Sequence, residues 1–239
     1  MSLDSTLHAL LFHRSRREAF LRGELDLPAD EAQALSVVDV DQLEQASRLA
    51  CEGILTRSHR GSGSLLDAFA RTIAAWRSLE HDAIIARAQH ATPLFELAAA
   101  FTESRHFGGY SALPTCAGGA SLEEAFFRFA DETAIGDAPT RLAEYAAAIL
   151  RALVVTPKPS FRIPDFVHRA PGGYFAVLDA GPTLVAALDG RFVTGPITPF
   201  LAALLDAREA PDRVAARFGV DARGLETASG ELRRLRLVE

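Results

Sequence analysis

A proline-rich segment divides this chain into two parts with different patterns. TPKPSFRIPDF, residues 156–166, contains Pro157, Pro159 and Pro164. Proline lacks a backbone N–H and disfavours the helical conformation of the residue before it, so this segment cannot be a helix. We place a domain boundary here, with one domain over residues 1–155, a linker over residues 156–166 and a second domain over residues 167–239.

The first part of the chain has the apolar periodicity of helices. Gly23 ends the first helical run, and Asp39 precedes a longer helix. Ser121, followed three residues later by Glu124, is typical of a capping box. The expected apolar stripe of the longer helix comprises Val40, Leu43, Ala46, Leu49 and Ala50. We predict an N-terminal domain that is almost entirely helical.

Short apolar runs replace the helical period after the linker. GYFAVLDAG and TLVAALDGRFV, separated by Ala-Gly-Pro at 180–182, are typical of a β-hairpin, and a third strand could begin at Arg191. Three helical runs follow, ITPFLAALLDA, PDRVAARF and GLETASGELRRLRLV. The predicted fold class is therefore α+β, mainly α, with a helical N-terminal domain followed by a small domain of one hairpin and three helices.

Charge and cysteine content restrict the class of protein. The chain has 239 residues, of which 49% are hydrophobic, and a formal net charge of -6. We expect packed cores and no diffuse cationic field for a nucleic-acid backbone. Cys51 and Cys116 lie far apart, which indicates a reducing compartment rather than a disulfide framework. No signal peptide is recognisable, and no stretch approaches about 18 uninterrupted apolar residues, so we expect a cytoplasmic protein without a membrane span.

Residues that could carry chemistry do not stand in the patterns that chemistry requires. The chain has 7 histidines, and none stands four positions from another, the spacing that places two side chains on one helix face. Cys116, in the glycine-rich loop of residues 108–121, is the better candidate for a reactive thiol, but no base is identifiable near it. Cys51 is expected in a core. We predict no catalytic residue, no metal site and no cofactor, and we do not expect an enzyme.

The last quarter of the chain resembles a family of peptide-recognition domains. YFAVLDAGPTLVAALDG is similar to the hairpin of the PqqD-like family, PFLAALLDAREAPDRVAARFGV to its first two helices, and LETASGELRRLRLVE to its third. These winged-helix-like domains, the RiPP recognition elements, bind ribosomally made precursor peptides. One departure is the stretch RFVTGPITP, which is longer than this family's connection between hairpin and first helix. The resemblance implies that residues 167–239 capture a precursor peptide.

The N-terminal domain resembles a second group of proteins. RREAFLRGELDLPADEAQALSVVDVDQLEQASRL is similar to the helical half of proteins encoded beside multinuclear non-heme iron enzymes, which modify cysteine residues in such peptides. In those systems the enzyme carries the metals and the partner protein presents the peptide. The resemblance implies that this chain is a non-catalytic accessory subunit that forms a heterodimer with an iron-dependent enzyme.

Peptide capture by such a domain has a simple physical basis. An extended peptide pairs with an exposed strand edge, while alternate side chains enter apolar pockets beside a helix. The resemblance therefore implies peptide-binding roles in the hairpin and the last helix for Leu184, Val185, Ala187, Leu188, Leu232, Arg233 and Arg236. The candidates for binding the partner enzyme belong to a basic cluster on the first helix and are Arg14, Arg16 and Arg17.

Two other classes of function stay open. A winged-helix DNA-binding transcriptional regulator would share this outline, because PDRVAARFGV and the run after it have helix-turn-helix spacing. The acidic balance and the absence of Asn, Gln or Lys in the last helix argue against binding to nucleic acid. An enzyme acting alone would need a cleft that the sequence does not indicate.

Overall fold

The computed structural model describes residues 3–58, 63–76, 93–107, 120–179, 181–206 and 209–239. These residues divide into two compact units, the first ending at Arg141 and the second beginning at Leu142. The fold is α+β and mainly helical, with an antiparallel sheet in the second unit, as predicted. Within the described ranges, no helix has both the length and the apolar character needed to cross a membrane.

The described part of the first unit consists of helices and their connections. They are α1 (Leu3–Phe12), α2 (Arg14–Leu21), α3 (Ala29–Leu35), α4 (Val40–Thr56), α5 (Leu65–Ala68), α6 (Pro93–Glu103) and α7 (Leu122–Glu132), and α8 (Ala138–Val155) begins here. Residues 70–76 are also helical. The predicted first helix is interrupted at His13, whose extended backbone separates α1 from α2. Asp39 and Ser121 cap α4 and α7 by accepting the backbone N–H groups of Gln42 and Glu124, each at 3.0 Å.

Phenylalanine and leucine side chains fill the core of the first unit. Its largest fully buried side chains include Phe69, Phe101, Phe107, Phe126, Leu10 and Leu55. The predicted stripe on α4 is wrong in its register, because Val40 and Leu49 are exposed whereas Ser47 and Cys51 are buried. Ser47 can be buried because its hydroxyl donates to the carbonyl of Leu11 at 2.7 Å. The prediction that Cys51 lies in a core is confirmed.

The second unit contains a four-stranded antiparallel sheet. Its strands are β1 (His168–Ala170), β2 (Gly173–Leu178), β3 (Thr183–Leu188) and β4 (Arg191–Pro196), and they lie side by side in chain order. The predicted hairpin is β2 with β3, and the third strand is β4, which accounts for most of the long stretch RFVTGPITP. β1 was not predicted, because three residues beside a proline-rich segment carry no alternating pattern.

Three helices follow the sheet and cover one of its faces. They are α9 (Pro199–Leu205), α10 (Pro211–Phe218) and α11 (Ala222–Arg234). Thr198 and Asp221 cap the first and last of them. The core between sheet and helices comprises Phe175, Leu184, Ala186, Leu188, Leu205, Leu232 and Leu237.

The boundary between the compact units precedes the segment that we predicted to be a linker. Most of α8 belongs with the sheet, because the guanidinium of Arg151 lies 4.8 Å from the ring centroid of Phe192 on β4. The rings of Tyr145 and Phe166 are 5.4 Å apart. The Tyr174 hydroxyl also donates to the carbonyl of Pro157 at 3.3 Å. The proline-rich residues therefore connect elements within the second unit, and α8 continues across the boundary.

Candidate functional site

The outer edge of β4 is the strongest candidate site in the second unit. β4 is the last strand of the sheet and pairs with β3 on one side, and no other strand of the described residues lies on its outer side. A strand edge of this kind presents backbone N–H and C=O groups that another chain can pair with. Which groups point outward depends on the turn before β4.

The turn between β3 and β4 determines the direction of these backbone groups. Asp189 and Gly190 form a two-residue connection, and both have positive φ, 49° and 73°, as a type I′ turn requires. The flanking pair Leu188 and Arg191 is then hydrogen-bonded, and the pairs alternate from there. Val193 therefore bonds to β3, as do Arg191 and Gly195. The outward peptide groups belong to the alternate residues Phe192, Thr194 and Pro196.

The outer edge of β4 therefore presents a defined set of backbone hydrogen-bond donors and acceptors. Phe192 and Thr194 each present an N–H donor and a C=O acceptor, while Pro196 presents only its carbonyl. The position of Pro196 agrees with this assignment, since proline in a strand is tolerated where its N–H would face outward from the sheet.

The helix-side face of β4 is not covered by the helices. Val193 and Gly195 share this face with core residues of β3, to which their register pairs them. Val193 is nevertheless 45% exposed. A Cβ added at Gly195 would meet no atom within 4 Å. An apolar side chain and an open space thus lie beside the free backbone edge.

No protein-family model, curated protein or solved structure matches this chain. The interpretation of the site therefore depends on its geometry and on the chemistry of its residues.

The residues predicted to bind a peptide on the hairpin are core residues. Leu184, Val185, Ala187 and Leu188 lie in β3 and are between 3% and 7% exposed. β3 is paired with β2 on one side and β4 on the other, so its backbone has no free edge. A strand that is apolar at nearly every position is typical of a sheet interior, so these four side chains lie in the core, and their role in peptide binding stays a prediction.

The residues predicted on the last helix have structural roles in this chain. Leu232 is buried in the core, and the Arg233 Nε donates to the carbonyl of Glu239 at 3.1 Å. Arg236 follows α11 and makes an ion pair of 2.7 Å with Asp189 in the turn before β4. Its guanidinium also donates to the carbonyl of Pro171, at 3.1 Å. Arg236 therefore connects the end of the chain to two turns of the sheet.

Two of the three arginines predicted to bind a partner enzyme are occupied within the first unit. Arg14 makes two hydrogen bonds of 2.8 and 2.9 Å to the Glu96 carboxylate, which raise the pKa of its guanidinium. Arg17 is buried and donates to the Leu10 carbonyl and the Ser47 hydroxyl, and burial lowers its pKa. Arg17 is therefore buried rather than exposed, and its role in binding a partner enzyme stays a prediction. Arg16 is exposed and stays a candidate.

Our sequence analysis missed the residues of the β4 edge, although a signal for them was present. Asp-Gly between two strand-like runs is a strong indication of a two-residue hairpin turn. Asp189 and Gly190 are that pair, and they place the next strand beside β3, where it is the last strand of the sheet. Phe192, Val193 and Thr194 could have been predicted from it.

The histidines and cysteines considered as metal ligands or reactive groups do not form a site among the described residues. Among the described residues, no group of three or more His, Cys, Asp or Glu side chains is arranged to hold a metal ion. Cys116 and most of its predicted loop lie outside the described residues, as do His59, His81 and His90. His106, which is described, contacts the Glu132 carboxylate through its Nε2, and this hydrogen bond lowers the pKa of Glu132.

Proposed function

We propose that this chain is a non-catalytic peptide-recognition protein whose second unit binds an extended peptide along β4. The observation that carries the proposal is the free outer edge of β4, with donors and acceptors at Phe192 and Thr194. A peptide bound there becomes a fifth strand of the sheet and pairs with these groups. Each backbone hydrogen bond contributes about 0.5–1.5 kcal/mol net.

The uncovered helix-side face supports the same proposal by offering a place for peptide side chains. Side chains of a strand alternate between its two faces, so every second peptide residue lies on this side of the sheet. Apolar side chains there contact Val193 and occupy the space beside Gly195. The peptide that fits best therefore has apolar residues at alternate positions.

The resemblances of the sequence suggest which peptide and which partner are involved. We propose that the ligand is a ribosomally made precursor peptide and that the second unit acts as a winged-helix-like, PqqD-like recognition element. The first unit then binds a multinuclear non-heme iron-dependent enzyme, with Arg16 as an exposed contact. We also propose a cytoplasmic location, in line with the two separated cysteines.

Titration of the purified full chain with candidate precursor peptides tests the proposal. The peptides are those encoded by short reading frames beside the gene for this chain, and affinity is measured by isothermal titration calorimetry. Thr194→Pro removes one outward N–H without removing a bond to β3, so we expect the affinity to fall about two- to tenfold.

A proline at the opposite edge of the sheet provides the matched control. Register places the Arg169 peptide group on the outer side of β1, so Arg169→Pro makes an equivalent change away from β4. We expect this variant to bind with unchanged affinity. Equal loss in both variants, or none in Thr194→Pro, would contradict binding at β4.

The DNA-binding alternative receives less support from the helices. α11 would be the recognition helix, and its exposed residues include Glu226 and Glu231. Arg234, one of its exposed cations, already pairs with Glu231 at 2.8 Å. Carboxylates on this helix repel a phosphate backbone. A retarded duplex DNA band in a mobility-shift assay at moderate salt would favour the regulator instead.

A further inference from the structure

A cavity in the second unit lies at the edge of the sheet opposite β4, beside β1 and α9. Its volume is about 470 Å³, and Phe166, Val177 and Ala202 contribute apolar parts of its lining. Asp165, Asp179 and His168 also line it. The cavity is separate from the β4 edge, because β2 and β3 stand between β1 and β4.

The cavity lies where β1 would continue if it were as long as β2. β1 pairs with β2 only as far as His168 opposite Phe175, whereas β2 continues to Leu178. A turn closed by the Val167 N–H and the Pro164 carbonyl, at 2.9 Å, directs the chain away from the sheet at this point. The last part of β2 is therefore a second free edge.

The register also shows which peptide group of β2 faces the position where β1 would continue. Residues of β2 bond alternately to β1 and to β3, and Phe175 is paired with β1. Two positions further, Val177 directs its N–H and C=O toward the missing continuation of β1. Neither group has a hydrogen-bond partner recorded among the described residues. A ligand with its own peptide group can satisfy both.

The charges around the cavity select the ligand. Three of the lining residues are aspartates, Asp165, Asp179 and Asp206, and none is a Lys or Arg. Phe166 adds an aromatic face to these carboxylates. A guanidinium combines the properties required here, because it is planar, stacks on aromatic rings and forms directed hydrogen bonds to carboxylates.

We propose that this cavity binds an arginine side chain of an extended peptide whose backbone pairs with Val177. The arginine stem lies against the apolar wall, and its guanidinium lies between Asp165 and Asp179. This goes beyond the proposed function, since it concerns another edge of the sheet and does not require a peptide on β4. It gives the second unit two peptide-binding edges, of which this one is specific for positive charge.

NMR titration of the full chain with two short peptides tests the inference. The probes are acetyl-Ala-Arg-Ala-amide and the same peptide with citrulline, which keeps the shape of arginine but has no charge. We expect the arginine peptide to shift the Val177 amide signal in a saturable way at low salt and to bind at least about fivefold more tightly than the citrulline peptide. Both measurements use the unaltered protein, so they do not depend on the folding of a variant.

Charge variants provide the second measurement. Asp165→Asn with Asp179→Asn removes two of the three lining carboxylates and leaves Asp206, and we expect at least about a fivefold loss of affinity for the arginine peptide. Asp212→Asn with Glu226→Gln is the matched control, because both side chains are exposed in the same unit and neither lines the cavity. The control is expected to bind as the unaltered protein does.

Three outcomes would overturn the inference. They are equal binding of both peptides, an unshifted Val177 signal at saturating arginine peptide, and an equal loss of affinity in the two double variants. Shifts that appear at Phe192 and Thr194 instead would assign the arginine peptide to β4 and leave the cavity without this ligand.

Discussion

β3 and β4 are neighbours of equal length with opposite roles in the sheet. Thr183–Leu188 is paired on both sides and almost entirely buried, whereas Arg191–Pro196 is paired on one side and mostly exposed. Their sequences, TLVAAL and RFVTGP, differ in the same way. A strand that is apolar on both faces is typical of the interior, and one with glycine and proline is typical of an edge. The more hydrophobic strand of a hairpin is thus the poorer candidate for binding a peptide.

The same Val→Asp substitution in each strand should show the largest difference in the free energy of unfolding between β3 and β4. Val185→Asp places a carboxylate in the buried strand, and we expect it to lower the free energy of unfolding by about 4 kcal/mol or more. Val193→Asp makes the same change at an exposed position of β4 and should cost about 1 kcal/mol or less. Urea titrations followed by the methyl NMR signals of Leu184 and Leu188 measure both. Similar costs would mean that β4 is buried.

Two adjacent proline substitutions test the direction of the β4 peptide groups. Val193→Pro removes an N–H that bonds to β3, and we expect a loss of about 3 kcal/mol in the free energy of unfolding. Thr194→Pro removes an outward N–H and should cost about 1 kcal/mol. The same urea titrations compare the two variants. A larger cost at Thr194 would reverse the assigned register.

Alanine substitution of a glycine in the turn between β3 and β4, compared with that of a helical glycine, tests the turn. We expect the two substitutions to change the free energy of unfolding in opposite directions. Gly190 has a φ of 73°, so Gly190→Ala should destabilise the second unit by about 1 kcal/mol. Gly230, in α11, has open space where a Cβ would be added, and Gly230→Ala should stabilise it by about 0.5–1 kcal/mol. Thermal unfolding of both variants gives the comparison. A stabilising effect at Gly190 would contradict the type I′ turn.

The ion pair between Arg236 and Asp189 should have the smallest effect on the same turn. Both side chains are largely exposed, so Arg236→Gln is expected to cost about 0.5 kcal/mol at low salt. The cost should decrease in about 1 M NaCl, where exposed charges are screened. Urea titrations at both salt concentrations test this. Asp189→Asn removes the other charge of the same ion pair and serves as the matched variant. A cost that does not change with salt would indicate that the hydrogen bond to Pro171 dominates.

Local patterns predicted most elements of this fold but not the pairing of their side chains. The caps at Asp39 and Ser121 and the hairpin of β2 and β3 follow from residues close in sequence. The contact between Arg14 and Glu96 joins residues 82 positions apart, and no local pattern indicates it. A member of a basic cluster can therefore be paired with a carboxylate that is distant in sequence.

The candidate site was predictable in kind but not in position. The resemblance pointed to strand pairing, and the second unit has a free edge that suits it. Apolar character led us to β3, since hydrophobic residues can line a core or a binding site, and sequence alone does not distinguish the two uses. The distinction depends on the position of each strand in the sheet, and the strand order places β3 in the interior and β4 at an edge.

Residue-resolved amide hydrogen exchange, with and without a bound precursor peptide, tests the central claim most directly. In the free protein, the amides of Phe192 and Thr194 should exchange quickly, while those of Val193 and Gly195, which bond to β3, should exchange slowly. Peptide binding should slow exchange at Phe192 and Thr194. Protection of these two amides in the free protein, or unchanged exchange at both with peptide bound, would contradict the assignment of β4 as the peptide-binding edge.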